Sequence, residues 1–287
     1  MKAFLWTSVI VLSLLVVGVW VVAFRLNSSD PNKEASNYPA TGSDVVTTNT
    51  APPTSGSGKS PAQFVPILMY HYIRSGVDPS DNLGIQLSVS PEKFRQQLSV
   101  LKDAGYQTIS LSDFAAGKYK PKSLVVTFDD GYVDQHDNAL PILKELDMKA
   151  TFFIVRNFIG TNGYMNKTQI DNLLIAGMEV GGHSMSHKNL ANLEYEQQTK
   201  DIAGSMENFA KVFCYPSGKY SPVTLDIVSG LGVKAAVTTI YGIATDQSKI
   251  YELPRIRMVE HTDILKRISE ETAIAKKQLS PSQRTKD

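Results

Sequence analysis

A single cysteine, Cys214, stands in a chain of 287 residues. That excludes an intramolecular disulfide and any CxxC zinc or redox motif, so a metal would have to be held by histidine and carboxylate. Histidine is scarce too, at five residues. Neither sign of charge is in excess, because 29 Lys+Arg against 28 Asp+Glu leave +1, and this disfavours a dedicated nucleic-acid binder. No nucleic-acid partner is expected. No internal repeat with a period of about 20 to 50 residues is evident, which sets aside solenoids and propellers. The length suits one large domain or two small ones, and 42% hydrophobic residues can form a sizeable core.

What the chain does have begins with one long apolar run. From Ala3 to Phe24, AFLWTSVIVLSLLVVGVWVVAF carries no charge, and about 22 residues at 1.5 Å rise cross a hydrocarbon core of roughly 30 Å. It reads as a transmembrane helix. A cleaved signal peptide would have an apolar region of about 7 to 15 residues before a small-x-small site, and Val22-Ala23-Phe24-Arg25 fits that poorly. Residues 1–26 are therefore expected to be an uncleaved signal anchor, with a secreted protein as the outcome if the segment is removed. Lys2 and the N-terminal amine outweigh Arg25, which places the N-terminus in the cytoplasm and the rest outside. Residues 27–63, as in TTNTAPPTSGSGKS, offer almost nothing to bury and read as a disordered polar linker. The expected arrangement is a single pass through the cell membrane, with residues 64–287 as an extracellular globular domain.

Within that domain, strand-like runs appear at Val65–Met69, Ser123–Phe128, Ala150–Val155, Met178–Gly181, Val212–Tyr215, Lys234–Thr238 and Leu253–Met258. Helical patterns lie between most of them. Phe94, Leu98 and Leu101 follow Ser90-Pro91-Glu92 at core-facing spacing, with Ser90 as cap and Pro91 in the first turn. This alternation predicts a mostly parallel α/β sheet, open or closed as a barrel.

The chemically able residues fall at strand ends. Tyr70-His71 follows PILM, Asp129-Asp130-Gly131 follows SLVVTF, His183 follows MEVGG, and Pro216-Ser217-Gly218 follows VFCY. Carboxyl ends of parallel strands open on one side, so four segments deliver polar groups to one mouth. His183 and His187 are four residues apart, and two histidines with a carboxylate leave open positions on a metal, as in catalytic rather than structural zinc sites. Asp129 or Asp130 would complete the set. Its neighbour would then stand beside the metal-bound water, since consecutive residues on a strand project differently. Gly131 lets the backbone turn away. His136 and His261 lack such partners and read as surface or packing residues.

Thr127-Phe128-Asp129-Asp130-Gly131, His183-Ser184-Met185-Ser186-His187 and Tyr215-Pro216-Ser217-Gly218 resemble the first three motifs of the polysaccharide deacetylases, the NodB-homology domain of carbohydrate esterase family 4. The resemblance spans about Phe64 to Val259. It implies an α/β fold, a distorted (β/α) barrel, and metal-dependent hydrolysis of acetyl groups from an N-acetylated glycan polymer. It further implies Asp130, His183 and His187 as ligands of a divalent metal, zinc first with cobalt, nickel or manganese as alternatives, and Asp129 as general base. Tyr215, Pro216 and Ser217 would face substrate, the Ser217 N–H serving the oxyanion.

Two departures from the family pattern matter. The apolar-x-His motif, usually near the end of the domain, stands at the start as Leu68-Met69-Tyr70-His71. In a closed barrel the first and last strands can be neighbours, so His71 becomes the expected general acid, ahead of His261. This permuted order is similar to the deacetylases of poly-N-acetylglucosamine exopolysaccharide. The motif arginine that orients the base is replaced by Cys214, which reads as a buried packing thiol, and Arg255 in Leu253-Pro254-Arg255-Ile256-Arg257 is the candidate substitute. Competing readings are an O-acetyl esterase, a non-haem iron oxygenase with the same ligand set, and a glycan-binding module without catalysis.

Overall fold

Apolar runs become strands here because both of their faces are covered, as a parallel barrel requires. The computed structural model describes residues 62–280. The strands are β1 (Ile67–Tyr70), β2 (Ser123–Phe128), β3 (Thr151–Ile154), β4 (Glu179–Gly182), β5 (Val212–Cys214), β6 (Ala235–Tyr241) and β7 (Leu253–Arg257). Each lies on an expected run with its ends moved by a few residues; β6, for example, continues to Tyr241 instead of stopping at Thr238.

The strands pair in the order β1-β7-β6-β5-β4-β3-β2, and β2 pairs back onto β1. Seven parallel strands thus close a barrel, with the short strand Gln107–Thr108 added beside the start of β2. The register of β7 on β1 is Ile256↔Leu68 and Arg257↔Met69. First and last strands are therefore neighbours.

Helices cover the outside: α1 (Pro91–Asp103), α2 (Leu140–Glu145), α3 (Lys167–Ile175), α4 (Tyr195–Ser205), α5 (Pro222–Gly230) and α6 (Ile264–Leu279). Ser90 caps α1 by accepting from the Lys93 N–H at 3.2 Å, a contact of about 1 kcal/mol, and Phe94, Leu98 and Leu101 are buried. No helix separates β6 from β7. Ala244–Thr245 instead pairs antiparallel with Phe64–Val65, and this irregular link distorts the barrel.

Strand alternation decides what each face receives. Leu124, Val126 and Phe128 pack outward with Phe94 and Leu98, while Ile67, Val125, Val212, Cys214, Ala235, Val237 and Leu253 fill the interior. Counting on by twos along the inward set reaches His71, Thr127, Asp129, Arg255 and, through Gly181, His183. Gly181 is needed there: a Cβ would sit 2.7 Å from the Val212 side chain and carbonyl. The alternation thus delivers these polar groups to the carboxyl mouth of the barrel.

The expected anchor, residues 1–26, and nearly all of the expected linker lie outside the described residues. Among the described residues no helix is long and apolar enough to cross a membrane.

Candidate active site

Asp129 is buried at the end of β2 and forms a bidentate pair with Arg255 of β7, both contacts being 2.7 Å. Arg255 is itself fully buried. Its Nε donates to the Thr238 carbonyl at 2.8 Å, Nη1 also reaches Thr127 Oγ1 at 3.0 Å, and Nη2 also reaches Cys214 Sγ at 3.3 Å. All five guanidinium N–H groups are thereby used, which is what permits the charge to be buried. Burial alone would raise the Asp129 carboxyl, but the Arg255 charge and hydrogen bonds outweigh it and hold the group below its usual range. Asp129 is ionised at neutral pH and cannot rotate. His71, at the end of β1, places Nε2 3.7 Å from Asp129 Oδ2. Burial is the dominant influence on His71 and leaves its pKa below that of a free imidazole.

Asp130 leaves the strand with φ 77°, and Gly131 continues the turn at φ 85°. A Cβ at Gly131 would stand 3.0 Å from Ile154 Cδ1. This reversal carries Asp130 away from Arg255 and toward the histidines. Its Oδ1 lies 3.2 Å from Nε2 of both His183 and His187. Burial would raise Asp130, but the two neighbouring imidazoles leave it well below the ordinary value.

The histidines sit on a loop after β4, not on a helical turn. Ser184 and His187 adopt φ 64° and 55°, and with Asp130 and Ser217 at φ 52° they are four of the seven described non-glycine residues in the left-handed region. Such conformations each cost about 1 kcal/mol or more and persist only where contacts enforce them. Here the Met185 N–H and Ser186 Oγ donate to Asp201 of α4 at 3.3 and 3.1 Å, and the His187 N–H donates to Ser184 Oγ at 2.8 Å.

The donor set fits a divalent cation. His183 Nδ1 is 2.7 Å from the Cys214 carbonyl, which can only accept, so Nδ1 carries the proton and Nε2 presents its lone pair. The ligand atoms of Asp130, His183 and His187 all lie within 4.8 Å of one another. Two imidazoles and one carboxylate can hold a divalent metal and leave positions open. A second cluster, Asp129 with His183 and Cys214, meets the same spacing. A cation there would face the Arg255 guanidinium that already donates to Asp129 and Cys214, so that cluster is not a metal site.

Two sequence expectations, for Tyr215 with Pro216 and for Cys214, need correction. Tyr215 does not face the mouth: it is buried on the outward side of β5, where its hydroxyl donates to the Tyr251 carbonyl at 2.9 Å, and Pro216 is buried beside it. Cys214 is buried as expected but is more than packing, since its sulfur accepts from Arg255 and its carbonyl fixes the His183 tautomer. Burial pushes its thiol pKa up, which keeps it neutral. His261 is exposed, as is Arg257. His136 pairs with Asp137 at 2.7 Å.

Other groups at the mouth had no role assigned from the sequence. Thr127 and Asp201 steady Arg255 and the histidine loop. Tyr72 stacks on Tyr132 at 4.0 Å, Tyr132 meets Tyr164 at 5.0 Å, and Arg74 covers the Tyr72 ring at 3.6 Å. Tyr132 directly follows Gly131, and burial first, then the Asp130 charge, raises its pKa. A half-buried aromatic wall therefore flanks the triad.

Comparison with known proteins agrees with this geometry. The polysaccharide deacetylase family profile matches residues 116–236. The Bacillus subtilis protein YxkH, which carries a polysaccharide deacetylase name, is 32% identical over 212 residues, covering 70% of this chain and 73% of the relative. A Staphylococcus aureus poly-β-1,6-N-acetyl-D-glucosamine N-deacetylase is 25% identical over 194 residues, covering 59% and 67%. Among solved structures, the Streptococcus pyogenes deacetylase PplD in complex with acetate aligns with a TM-score of 0.67 at 30% identity, covering 72% of this chain and 99% of that one. The chain belongs to the polysaccharide deacetylase family.

Proposed function

We propose that the chain removes N-acetyl groups from an N-acetylglucosamine polymer at the cell surface, either poly-β-1,6-N-acetylglucosamine or peptidoglycan glycan, with a divalent metal held by Asp130, His183 and His187. The observation that carries this reading is the split between adjacent carboxylates: Asp130 meets the two imidazoles at 3.2 Å, and Asp129 is locked in a bidentate pair with Arg255. A facial-triad oxygenase has no use for that second, clamped carboxylate. The name of the S. aureus relative supports the glycan.

A divalent cation bound there, zinc in the first instance, would lower the pKa of a water and polarise the acetyl carbonyl. Asp129, ionised and fixed in direction, accepts the proton of the attacking water. The Ser217 N–H is assigned to the oxyanion. An amide nitrogen leaves poorly as an anion, so His71 returns a proton to it from beside Asp129. Tyr72, Tyr132 and Tyr164 line the approach for the sugar. Residues 1–26 are assigned to a membrane anchor and 27–63 to a tether that lets the domain reach glycan outside the membrane.

The direct test is acetate release from β-1,6- and β-1,4-linked N-acetylglucosamine oligomers before and after chelation. Release that is lost with the chelator and restored by zinc is expected. Chelator-resistant release, or release from O-acetylated polymers alone, would overturn the reading.

A further inference from the structure

We infer that Gln135 is a positioning residue that sets the spacing between His71 and Asp129. The inference rests on the proposed acid and base roles of those two residues. The β1–β2 ladder ends with Tyr70 opposite Phe128 and the Asp129 N–H on the Tyr70 carbonyl at 3.0 Å. His71 and Asp129 therefore project from just past the last paired position. There Gln135 takes over: its Nε2 donates to the His71 carbonyl at 2.8 Å and to the Asp129 carbonyl at 2.5 Å. One planar NH₂ group with its two hydrogens at a fixed angle holds both carbonyls, and with them the origins of both side chains.

Gln135 opens a π-helical turn, Gln135–Ala139, a wide turn often found at functional sites. Its neighbours grip the same segment, because Asp134 Oδ1 accepts from the Ile73 N–H at 3.2 Å and Asn138 Nδ2 donates to the Ile73 carbonyl at 2.7 Å. Gln135 adds the link to Asp129. It is fully buried, and its Oε1 has no partner among the described residues. A side chain present only to fill space would do better without that orphaned acceptor, since methionine has the same reach and no polar group. What glutamine supplies over methionine is the pair of N–H donors. The buried amide leaves substrate contact to other residues, so its effect belongs in turnover and not in affinity.

The test compares the full chain with Gln135→Met, Gln135→Asn and Asp129→Asn, measuring kcat and KM for acetate release from N-acetylglucosamine oligomers, together with bound metal and melting temperature. Gln135→Met is expected to lower kcat about 10- to 100-fold, the scale of a misplacement near 1 Å, with KM within about twofold and metal content unchanged. Gln135→Asn retains a donor one methylene shorter and should recover part of the loss. A wild-type kcat in Gln135→Met, or a loss matched by lost folded, metal-loaded protein, overturns the inference. Should the Met variant not fold, the Asn variant decides: a lowered kcat at full metal loading and normal KM supports the role, and a wild-type kcat overturns it. Turnover surviving in Asp129→Asn would instead overturn the base assignment, whereas a dead Asp129→Asn beside a normal Gln135→Met overturns the Gln135 role alone.

Discussion

Asp129 and Asp130 are adjacent in sequence and face different partners. Asp129 keeps the strand direction, lies in the barrel interior and is neutralised by a buried guanidinium at 2.7 Å. Asp130 departs through a left-handed residue and faces two imidazoles at 3.2 Å. The same carboxylate chemistry is thereby divided between a fixed base and a ligand. The difference is made by backbone geometry: one residue continues the pleat, and the next breaks it.

Breaking each member of this pair separately should give losses that are alike in activity and unlike in metal binding. Asp129→Asn removes the proton acceptor and is expected to lower kcat by about 10²- to 10⁴-fold, the range for a general base, while zinc affinity by calorimetry stays within a few-fold. Asp130→Asn should abolish both activity and stoichiometric zinc binding. Equal zinc affinity in the two variants would show that the carboxylates do not divide as assigned.

The next effect concerns the Asp129 half alone. Arg255→Met leaves a buried carboxylate without its partner, which typically destabilises by about 3–5 kcal/mol. Chemical denaturation should report that loss. Pairing it with Asp129→Leu should restore most of the stability, because a shape-matched apolar pair replaces both charges. A double variant as unstable as Arg255→Met would mean that the guanidinium matters through Thr127, Thr238 and Cys214 and not through Asp129.

The barrel was legible because strands buried on both faces read as apolar runs, and the site was legible because polar residues follow those runs at one end. The alternation within each run held further information. Counting by twos from Leu253 sends Arg255 inward, and counting from Val212 sends Cys214 inward and Tyr215 outward, which corrects the expectation that Tyr215 faces the mouth. Other contacts had no local signature. Thr127 meets Arg255 across 128 residues of sequence, and the Cys214 carbonyl that sets the His183 tautomer is a backbone atom that every residue type possesses. Asp201 and Gln135 lie on helical segments where a polar residue is ordinary, so only the closed barrel reveals what they hold. The left-handed turn at Asp130 was equally hidden, since the adjacent Gly131 appeared sufficient for the reversal.

The smallest expected effect lies at the edge of the comparison, where Asp134 holds the segment that carries His71. Burial raises this carboxyl to about 6, against the lowering influence of the Ile73 N–H and Arg74. A folded-state value above the ordinary one means that the fold prefers the protonated acid. Stability from this group is therefore full at acidic pH and declines as pH rises from about 4 through 6. Asp134→Asn keeps an oxygen for the Ile73 N–H and removes the titration. The variant should match the parent near pH 4 and exceed it by about 1 kcal/mol at pH 7.5, allowing for partial exposure of the site. Thermal melts across that range read the difference directly. A variant less stable at pH 7.5 than at pH 4, relative to the parent, would show that the Asp134 charge is favourable to the fold and that the segment is held by an ion pair with Arg74.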